Sequence, residues 1–203
     1  MGCENNEIFT IGYSSFQLDV FFDTLKKYEI NAVVDVRSSP YSLYKPEFNR
    51  DSIKKSLTSN KIAYVFLGEE CGARLNDSKF YINGKVSYDL VAESPVFKGG
   101  LERIKKGMET HTIVLMCAEK DPITCHRTIL ISRKLSPELA IKHILGDGSF
   151  EYHEQSEQRL LKLFNPDQLD MFNGAKKTLD DAYTLQAEKI SYEVKEHNSE
   201  GPL

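Results

Sequence analysis

The chain has 203 residues, of which 40% are hydrophobic and 28% are charged, a composition typical of a globular protein with one core. Its formal net charge is −4, and the start MGCENNEIF lacks the basic and apolar regions of a signal peptide. No run of about 18 apolar residues is present, which argues against a membrane-spanning segment. We therefore expect a cytoplasmic protein with no membrane partner and with reduced cysteines.

The charges are unevenly distributed along the chain. Residues 37–134 contain 17 Lys and Arg against 11 Asp and Glu, so this part has a positive surplus although the whole chain is acidic. Such a surplus is compatible with a phosphate-bearing ligand or nucleic acid as partner, and equally with an ordinary solvated surface.

Apolar segments alternate with amphipathic ones in chain order. Apolar runs predict strands at 8–12, 31–37, 63–68, 112–118 and 138–145. Helical spacing predicts helices at 14–30, 50–61, 97–109 and 121–135, the first starting with a capping box of Ser14 and Gln17. This alternation predicts an open, mostly parallel α/β sheet of about five strands with helices on both faces, which is Rossmann-like. We assign this domain to residues 1–165 and a C-terminal helical tail to residues 166–203.

Each predicted strand ends in a polar segment. The segments are GYSS (12–15), DVRSSPYSLYKPEFN (35–49), GEECGARLND (68–77), CAEKDPITCHR (117–127) and HILGDG (143–148). Because the carboxyl ends of parallel strands lie at one edge of a sheet, we expect a cleft there.

The segment CAEKDPITCHR carries most of the reactive side chains. Asp121 and Pro122 predict a helix N-terminus, which would put Cys125 at the end of the first helical turn. The helix dipole and a nearby His126 or Arg127 would then favour a thiolate. The alternative is that Cys125 packs inward as a small hydrophobic residue while Arg127 pairs with Glu119.

Two arginines are the predicted anion ligands. Arg37 and Arg127 are expected to hold a substrate phosphate, because guanidinium groups and helix starts bind oxyanions. Asp35 and Arg37 share one strand face and could instead form a structural ion pair. We predict chemistry by Asp35, Glu119 or Cys125. Further substrate contacts are predicted from Tyr13, Ser14, Ser38, Tyr41, Cys117 and His126.

A metal site is the alternative interpretation of the same segment. Cys117, Cys125 and His126 would be joined by Cys71 or His143 from neighbouring strands. The spacing Cys-x7-Cys-His lacks the two-residue gaps typical of short zinc motifs, so we predict no cofactor.

The motifs TIGYS, DVRSSPYSLYKPEFN, LGEECG and CAEKDPITCHR, with a strand ending in His143 before a Gly-Asp-Gly turn, resemble the domain of unknown function 488 family. The resemblance runs from residue 8 to about residue 165. It implies a Rossmann-like α/β fold and a set of recurring polar positions, but no agreed reaction. Cys71 and Ala73 depart from the pattern, which has an aliphatic residue and Gly there. The first departure argues against Cys71 as a general catalytic group.

A second motif lies beyond Pro166. QLDMF (168–172) looks like the peptide with which bacterial repair and replication proteins bind the DNA polymerase sliding clamp. Gln168 would supply an amide, and Leu169, Met171 and Phe172 the apolar anchors. The alternative is a helical turn packed on the core. A loosely attached helix is expected after it, with Leu179, Tyr183, Gln186 and Ile190 on one face.

Two functions from different classes follow from these patterns. The first is an enzyme that acts on a nucleotide or nucleic acid, a phosphate-bearing substrate, in DNA repair or maintenance. The second is a non-catalytic, nucleic-acid-associated adaptor that the sliding clamp recruits through Gln168–Phe172.

Overall fold

The computed structural model describes residues 6–165 and 177–194. In these residues six strands form one sheet and two strands form a small hairpin. The strands are β1 (Glu7–Gly12), β2 (Ala32–Asp35), β3 (Ala63–Phe66), β4 (Tyr81–Ile82), β5 (Lys85–Val86), β6 (Ile113–Cys117), β7 (Ala140–Ile144) and β8 (Phe150–Tyr152).

Most of the helices lie between strands in chain order, and the last two follow β8. The helices are α1 (Leu18–Lys27), α2 (Arg50–Ser59), α3 (Gly68–Cys71), α4 (Tyr88–Glu93), α5 (Pro95–Met108), α6 (Arg133–Leu135), α7 (His153–Phe164) and α8 (Leu179–Ile190). A π-helical segment, Arg127–Ser132, runs directly into α6. Across the described ranges, no helix combines the length and apolar character needed to cross a bilayer.

The large sheet has the order β3-β2-β6-β1-β7-β8. Its first five strands pair in parallel, and β8 pairs antiparallel with β7 at the edge. The prediction of a mostly parallel, Rossmann-like α/β sheet is therefore confirmed. The added strand β8 has only three residues, too few for a periodic pattern to predict it.

Two apolar cores lie on opposite faces of the sheet. Successive strand residues point to opposite faces, so Ile8 contributes to one core and Phe9 to the other. The first core is covered by side chains from α4, α5, α7 and α8. The second is covered by α1 and α2. Because the helices cover the two faces of the sheet, the polar segments lie at the edge formed by the carboxyl ends of the parallel strands.

The start of α1 differs from the sequence prediction. Residues Tyr13–Ser15 form a 3-10 turn, and α1 begins at Leu18 with Gln17 as its N-cap. The main-chain nitrogen of Ser14 donates to the carbonyl of Ala118 at 3.2 Å. The predicted capping box is wrong, because Ser14 belongs to a turn that joins the ends of β1 and β6.

The predicted helix 121–135 is interrupted at Cys125. Asp121 caps a 3-10 turn, Pro122–Thr124, and Cys125 then has extended backbone angles, φ −131° and ψ 142°. The carbonyl of Cys125 accepts from the nitrogens of Thr128 and Ile129, which starts a second helical segment. Cys125 therefore lies at the start of that segment and not at the end of a first turn.

The C-terminal helix is not loosely attached as expected. Ala182, Tyr183 and Gln186 of α8 are buried, and Nε2 of Gln186 donates to the carbonyl of Ile123 at 2.7 Å. The helix thus covers the loop that leads to Cys125. The clamp-like peptide Gln168–Phe172 lies outside the described residues.

Candidate active site

A cleft of about 320 Å³ opens at the carboxyl ends of β1, β2 and β6, three neighbouring strands of the sheet. This is the edge where ligands bind in open α/β sheets. Seven residues singled out in the sequence line it. They are Tyr13, Arg37, Ser38, Tyr41, Cys117, Glu119 and His126.

The remaining lining residues are not among the predicted site residues. These are Ser39, Ser42, Ala73, Arg74 and Ala118. Arg74 is exposed, and its main-chain nitrogen donates to Oγ of Ser38 at 2.8 Å. It belongs to the polar segment after β3, which was recognised, but nothing in the sequence separates it from an ordinary surface arginine.

Four side chains converge at the floor of the cleft. The sulfur of Cys117 lies 2.8 Å and that of Cys125 3.0 Å from the same oxygen of Glu119, Oε2. Nδ1 of His126 lies 3.7 Å from the first sulfur and 3.9 Å from the second. One potential ligand atom from each of the four residues lies within 4.8 Å of the others. We call these four residues the floor cluster.

His126 is oriented by the main chain directly after β2. Its Nε2 lies 3.0 Å from the carbonyl oxygen of Val36. A carbonyl only accepts, so Nε2 carries a proton, and in the neutral ring Nδ1 then has a free lone pair. That lone pair faces the two sulfurs.

Cys125 caps the helical segment that follows it. The main-chain nitrogen of Arg127 donates to its sulfur at 3.4 Å. Burial opposes ionisation of this thiol. The hydrogen bond with Cys117 and the charge of Arg127 outweigh burial, so the pKa of Cys125 lies well below the usual range.

The neighbouring acid groups shift in the opposite direction. Burial, with the nearby sulfur of Cys125, raises the pKa of Cys117 well above that of a free thiol. Burial and the charge of Cys125 also raise the pKa of Glu119, although its side chain reaches the open side of the cleft. A protonated Glu119 can donate to the Cys125 thiolate and accept from the Cys117 thiol through Oε2.

Asp35 does not face the cleft. Its carboxylate is fully buried and pairs with Arg37 through two bonds, Nε to Oδ1 at 2.8 Å and Nη2 to Oδ2 at 2.6 Å. The hydroxyl of Tyr64 donates to Oδ2 at 2.8 Å. The expectation of Asp35 as a catalytic acid is therefore corrected. Asp35 forms a structural ion pair with Arg37, which is the alternative that the sequence allows, and it orients the guanidinium.

Arg127 is also placed differently from the expectation. It is fully buried, and Nη1 and Nη2 donate to the carbonyls of Glu119 at 2.6 Å and Lys120 at 3.3 Å. Its Nε donates to Oγ1 of Thr10 at 3.3 Å. Because these donors are used inside the protein, the prediction of Arg127 as a phosphate ligand is wrong. It instead holds the loop that carries Glu119.

The other predicted residues lie away from the floor cluster. Ser14 is not among the residues that line the cleft. His143 bonds Thr10 and His153 inside the domain, at 2.8 Å and 3.0 Å. Cys71 is fully buried, which raises its pKa to about 12. The structure therefore brings Glu119 to Cys117, Cys125 and His126, where the metal alternative expected Cys71 or His143.

Comparison with known proteins gives one match. A family model described as the domain of unknown function DUF488 matches residues 17–133. No curated protein and no solved structure matches the chain.

Proposed function

The chain belongs to the DUF488 family, whose description assigns no reaction, and we propose from its cleft that it is an enzyme acting on a phosphate-bearing substrate, a nucleotide or nucleic acid. One observation carries the proposal. An arginine with an unused donor lines the same cleft as the reactive side chains of the floor cluster. We place the enzyme in the cytoplasm, where free thiols stay reduced, and its role in DNA repair or maintenance.

Arg37 is the proposed anion ligand. Among the described residues, its Nη1 is buried and has no hydrogen-bond partner. A buried charged donor without an acceptor costs free energy, which a phosphate oxygen would recover. The pair with Asp35 raises the pKa of Arg37 against the cost of burial, so the guanidinium stays charged. Because Nη1 is covered, a small movement of the cleft wall must accompany binding.

The residues at the rim of the cleft favour a nucleotide or nucleic acid as the substrate. Arg74 adds a second positive charge to the lining. Tyr41, on the rim, is 62% exposed, and Leu43 and Tyr44 beside it are almost fully exposed. Exposed aromatic rings next to positive charge are the usual platform on which unpaired bases stack.

Glu119 is the proposed acid or base. It lines the cleft and is the exposed member of the floor cluster, whose other three residues are buried. The pKa of Glu119 is raised toward neutral pH, and a general acid or base works best when its pKa is near the pH of the reaction. Cys125 is 1% exposed and does not line the cleft, so a direct attack by its sulfur on a substrate is not part of the proposal.

The proposal is tested with a ligand panel. Purified protein is heated with nucleotides, short single strands and short duplexes, and with the matching nucleosides that carry no phosphate. We expect the phosphate-bearing compounds alone to raise the melting temperature, because ligands that bind the native state stabilise it. Chromatography of the same mixtures then detects products.

Two arginine variants make the test specific. Arg74→Gln should weaken binding by about tenfold, the effect of one lost charge-assisted hydrogen bond. Arg103→Gln is the matched control, since Arg103 is exposed on α5 and pairs with Glu70 away from the cleft. Glu119→Gln should bind but form no product. Equal loss in both arginine variants, or no stabilisation by any phosphate compound, refutes the proposal.

The alternative proposal is a non-catalytic adaptor that a sliding clamp recruits. It is supported by the sequence QLDMF, with Gln168 as the amide and Leu169, Met171 and Phe172 as anchors. A short peptide that becomes ordered on binding should bind with a Kd of roughly 1 μM. Several equivalent sites on a ring would raise the effective affinity.

Calorimetric titration with the sliding clamp of the same organism tests this alternative. Replacing Leu169, Met171 and Phe172 with Ala should abolish the heat of binding. Asp170→Ala, which changes neither the amide nor an apolar anchor of the motif, should retain it. An intact protein that gives no heat with the clamp rules the adaptor out.

A further inference from the structure

We propose that the floor cluster is a zinc site in which Cys117, Cys125 and His126 bind the ion and Glu119 lies beside an open fourth position. The inference deepens the proposed function and rests on it for the use of the ion, because the site is the floor of the same cleft. Metal binding itself can be measured without any substrate. The two proposals can therefore fail separately.

The distances agree with a tetrahedral ion. Zinc binds sulfur at about 2.3 Å and histidine nitrogen at about 2.0–2.1 Å, so a sulfur and a nitrogen on one ion lie about 3.5 Å apart. The two sulfurs lie 3.7 Å and 3.9 Å from Nδ1 of His126. Each sulfur–nitrogen distance therefore exceeds the metal-bound value by only a few tenths of an ångström.

The surroundings orient two of the three ligands, His126 and Cys125, as zinc sites do. A histidine ligand usually donates its second ring nitrogen to a carbonyl or carboxylate. Nε2 of His126 faces the carbonyl of Val36 at 3.0 Å, so Nδ1 is the free ligand atom. A thiolate ligand is stabilised by main-chain N–H donors, and the nitrogen of Arg127 donates to the sulfur of Cys125.

The loop that carries the site is held rigidly. Arg127 binds the carbonyls of Glu119 and Lys120. A Cβ atom on Gly12 would lie 1.8 Å from the carbonyl oxygen of Glu119, so the end of β1 and this loop are too close for a side chain at that position. A site assembled before the ion arrives loses little entropy on binding it.

The open position faces the cleft. Cys117, Glu119 and His126 line it, while Cys125 lies behind them. Catalytic zinc sites have three protein ligands and one water, and structural sites have four protein ligands. Glu119 is on the open side, where it would take a proton from a water that the ion activates. The resulting hydroxide oxygen would bond to the phosphorus of a phosphate ester, the ester P–O bond would break, and the leaving oxygen would take the proton back from the carboxylic acid of Glu119.

The ligand set selects the ion. Two thiolates and one imidazole are preferred by zinc, whereas magnesium and calcium prefer oxygen ligands. Cobalt(II) occupies such sites with the same geometry and makes them visible by absorption.

The test begins with the wild-type chain without a polyhistidine tag. Reduced protein is loaded with zinc, dialysed and analysed for metal, and we expect about one ion per chain. Cobalt loading should give sulfur-to-cobalt charge-transfer bands in the near ultraviolet and intense visible bands typical of four-coordinate cobalt. Alkylation mapped by mass spectrometry should show that metal protects Cys117 and Cys125.

Variants assign the ligands. Cys125→Ser and His126→Gln should each lower the affinity for zinc by at least about tenfold. Cys71→Ser is the matched control, because Cys71 is an equally buried thiol outside the cluster. Glu119→Gln should keep the ion and the cobalt bands, since Glu119 is not a ligand here.

The outcomes are decisive even if a variant does not fold, because the wild-type spectrum counts the sulfur ligands. No metal after loading, or cobalt bands without a sulfur contribution, refutes the site. Equal metal loss in Cys71→Ser and Cys125→Ser also refutes it. Zinc at full occupancy in a protein that binds no phosphate compound would support this inference and refute the proposed substrate.

Discussion

Nη1 of Arg127 donates to the main-chain carbonyl of Glu119 at 2.6 Å, so a fully buried guanidinium fixes the loop that carries the cleft carboxylate. The bond explains why an arginine in a motif rich in reactive groups is not itself at the surface of the cleft. Arg127 is a positioning residue for Glu119.

The first prediction is that Arg127→Met lowers stability strongly. Two carbonyls would lose their donor, and each loss costs about 1–3 kcal/mol, so the free energy of unfolding should fall by about 2–6 kcal/mol. Urea unfolding measures it. Arg103→Met, on the exposed face of α5, should change it little. A phosphate ligand would give the opposite result, namely near wild-type stability with lost binding.

The position of Arg127 shows what the sequence could and could not predict. The five parallel strands were predictable, because buried strands such as β2 and β6 are continuous apolar runs. The cleft was predictable as well, since polar segments follow the carboxyl ends of these strands. The partners of Arg127 were not, because its contact with Thr10 joins residues 117 positions apart in the chain.

Local context also misled the prediction for Cys125. Asp121 and Pro122 are a normal helix start, and they do cap a turn. The chain then extends at Cys125 and begins a π-helical segment at Arg127, for which the sequence has no simple signal. The sequence also predicts a loosely attached helix α8. The prediction fails because the helix is held by residues far away in the chain, such as Ile123, whose carbonyl accepts from Gln186.

The second prediction concerns the ion pair of Asp35 and Arg37. Both side chains are buried, at 0% and 4% exposure, so Asp35→Asn leaves an unpaired charge inside the protein. We expect the free energy of unfolding to fall by about 3–5 kcal/mol. The exposed pair of Glu93 and Lys98 is the control, and Glu93→Gln should leave the urea midpoint unchanged. Equal effects at the two sites would contradict the role given to Asp35.

The third prediction uses two glycines. Gly12→Ala would force a Cβ atom against the main-chain carbonyl of Glu119, at 1.8 Å from its oxygen and 2.8 Å from its carbon. Backbone atoms cannot move aside, so the change should displace the loop, lower the melting temperature and weaken metal binding. Gly99→Ala is the matched control on α5, where nothing lies within 4 Å of the new atom.

In the control the sign should reverse. Replacing a glycine inside a helix with alanine stabilises it by about 0.5–1 kcal/mol, so Gly99→Ala should raise the melting temperature. A stable Gly12→Ala protein with unchanged metal affinity would show that the contact between β1 and the loop does not matter for the site.

The last prediction concerns a buried chain of hydrogen bonds that ties α8 to the sheet. Nδ1 of His153 lies 3.0 Å from His143, and its Nε2 lies 3.0 Å from the hydroxyl of Tyr183. Burial lowers the pKa of His153 to about 4, and burial with the nearby His153 lowers that of His143 well below its usual value. Both rings are therefore neutral in the folded protein at neutral pH.

In the unfolded chain both histidines are protonated more readily than in the folded protein, because a free histidine has a pKa of about 6.5. The free energy of unfolding therefore has its full value above about pH 6.5 and falls as the pH decreases toward 4. His153 alone accounts for a decrease of up to about 3 kcal/mol. Urea midpoints between pH 7.5 and 4.5 measure the slope. His153→Gln should flatten it, whereas His111→Gln, at a surface histidine bonded to Thr110, should retain it. A wild-type slope in His153→Gln would mean that acid sensitivity arises elsewhere in the fold.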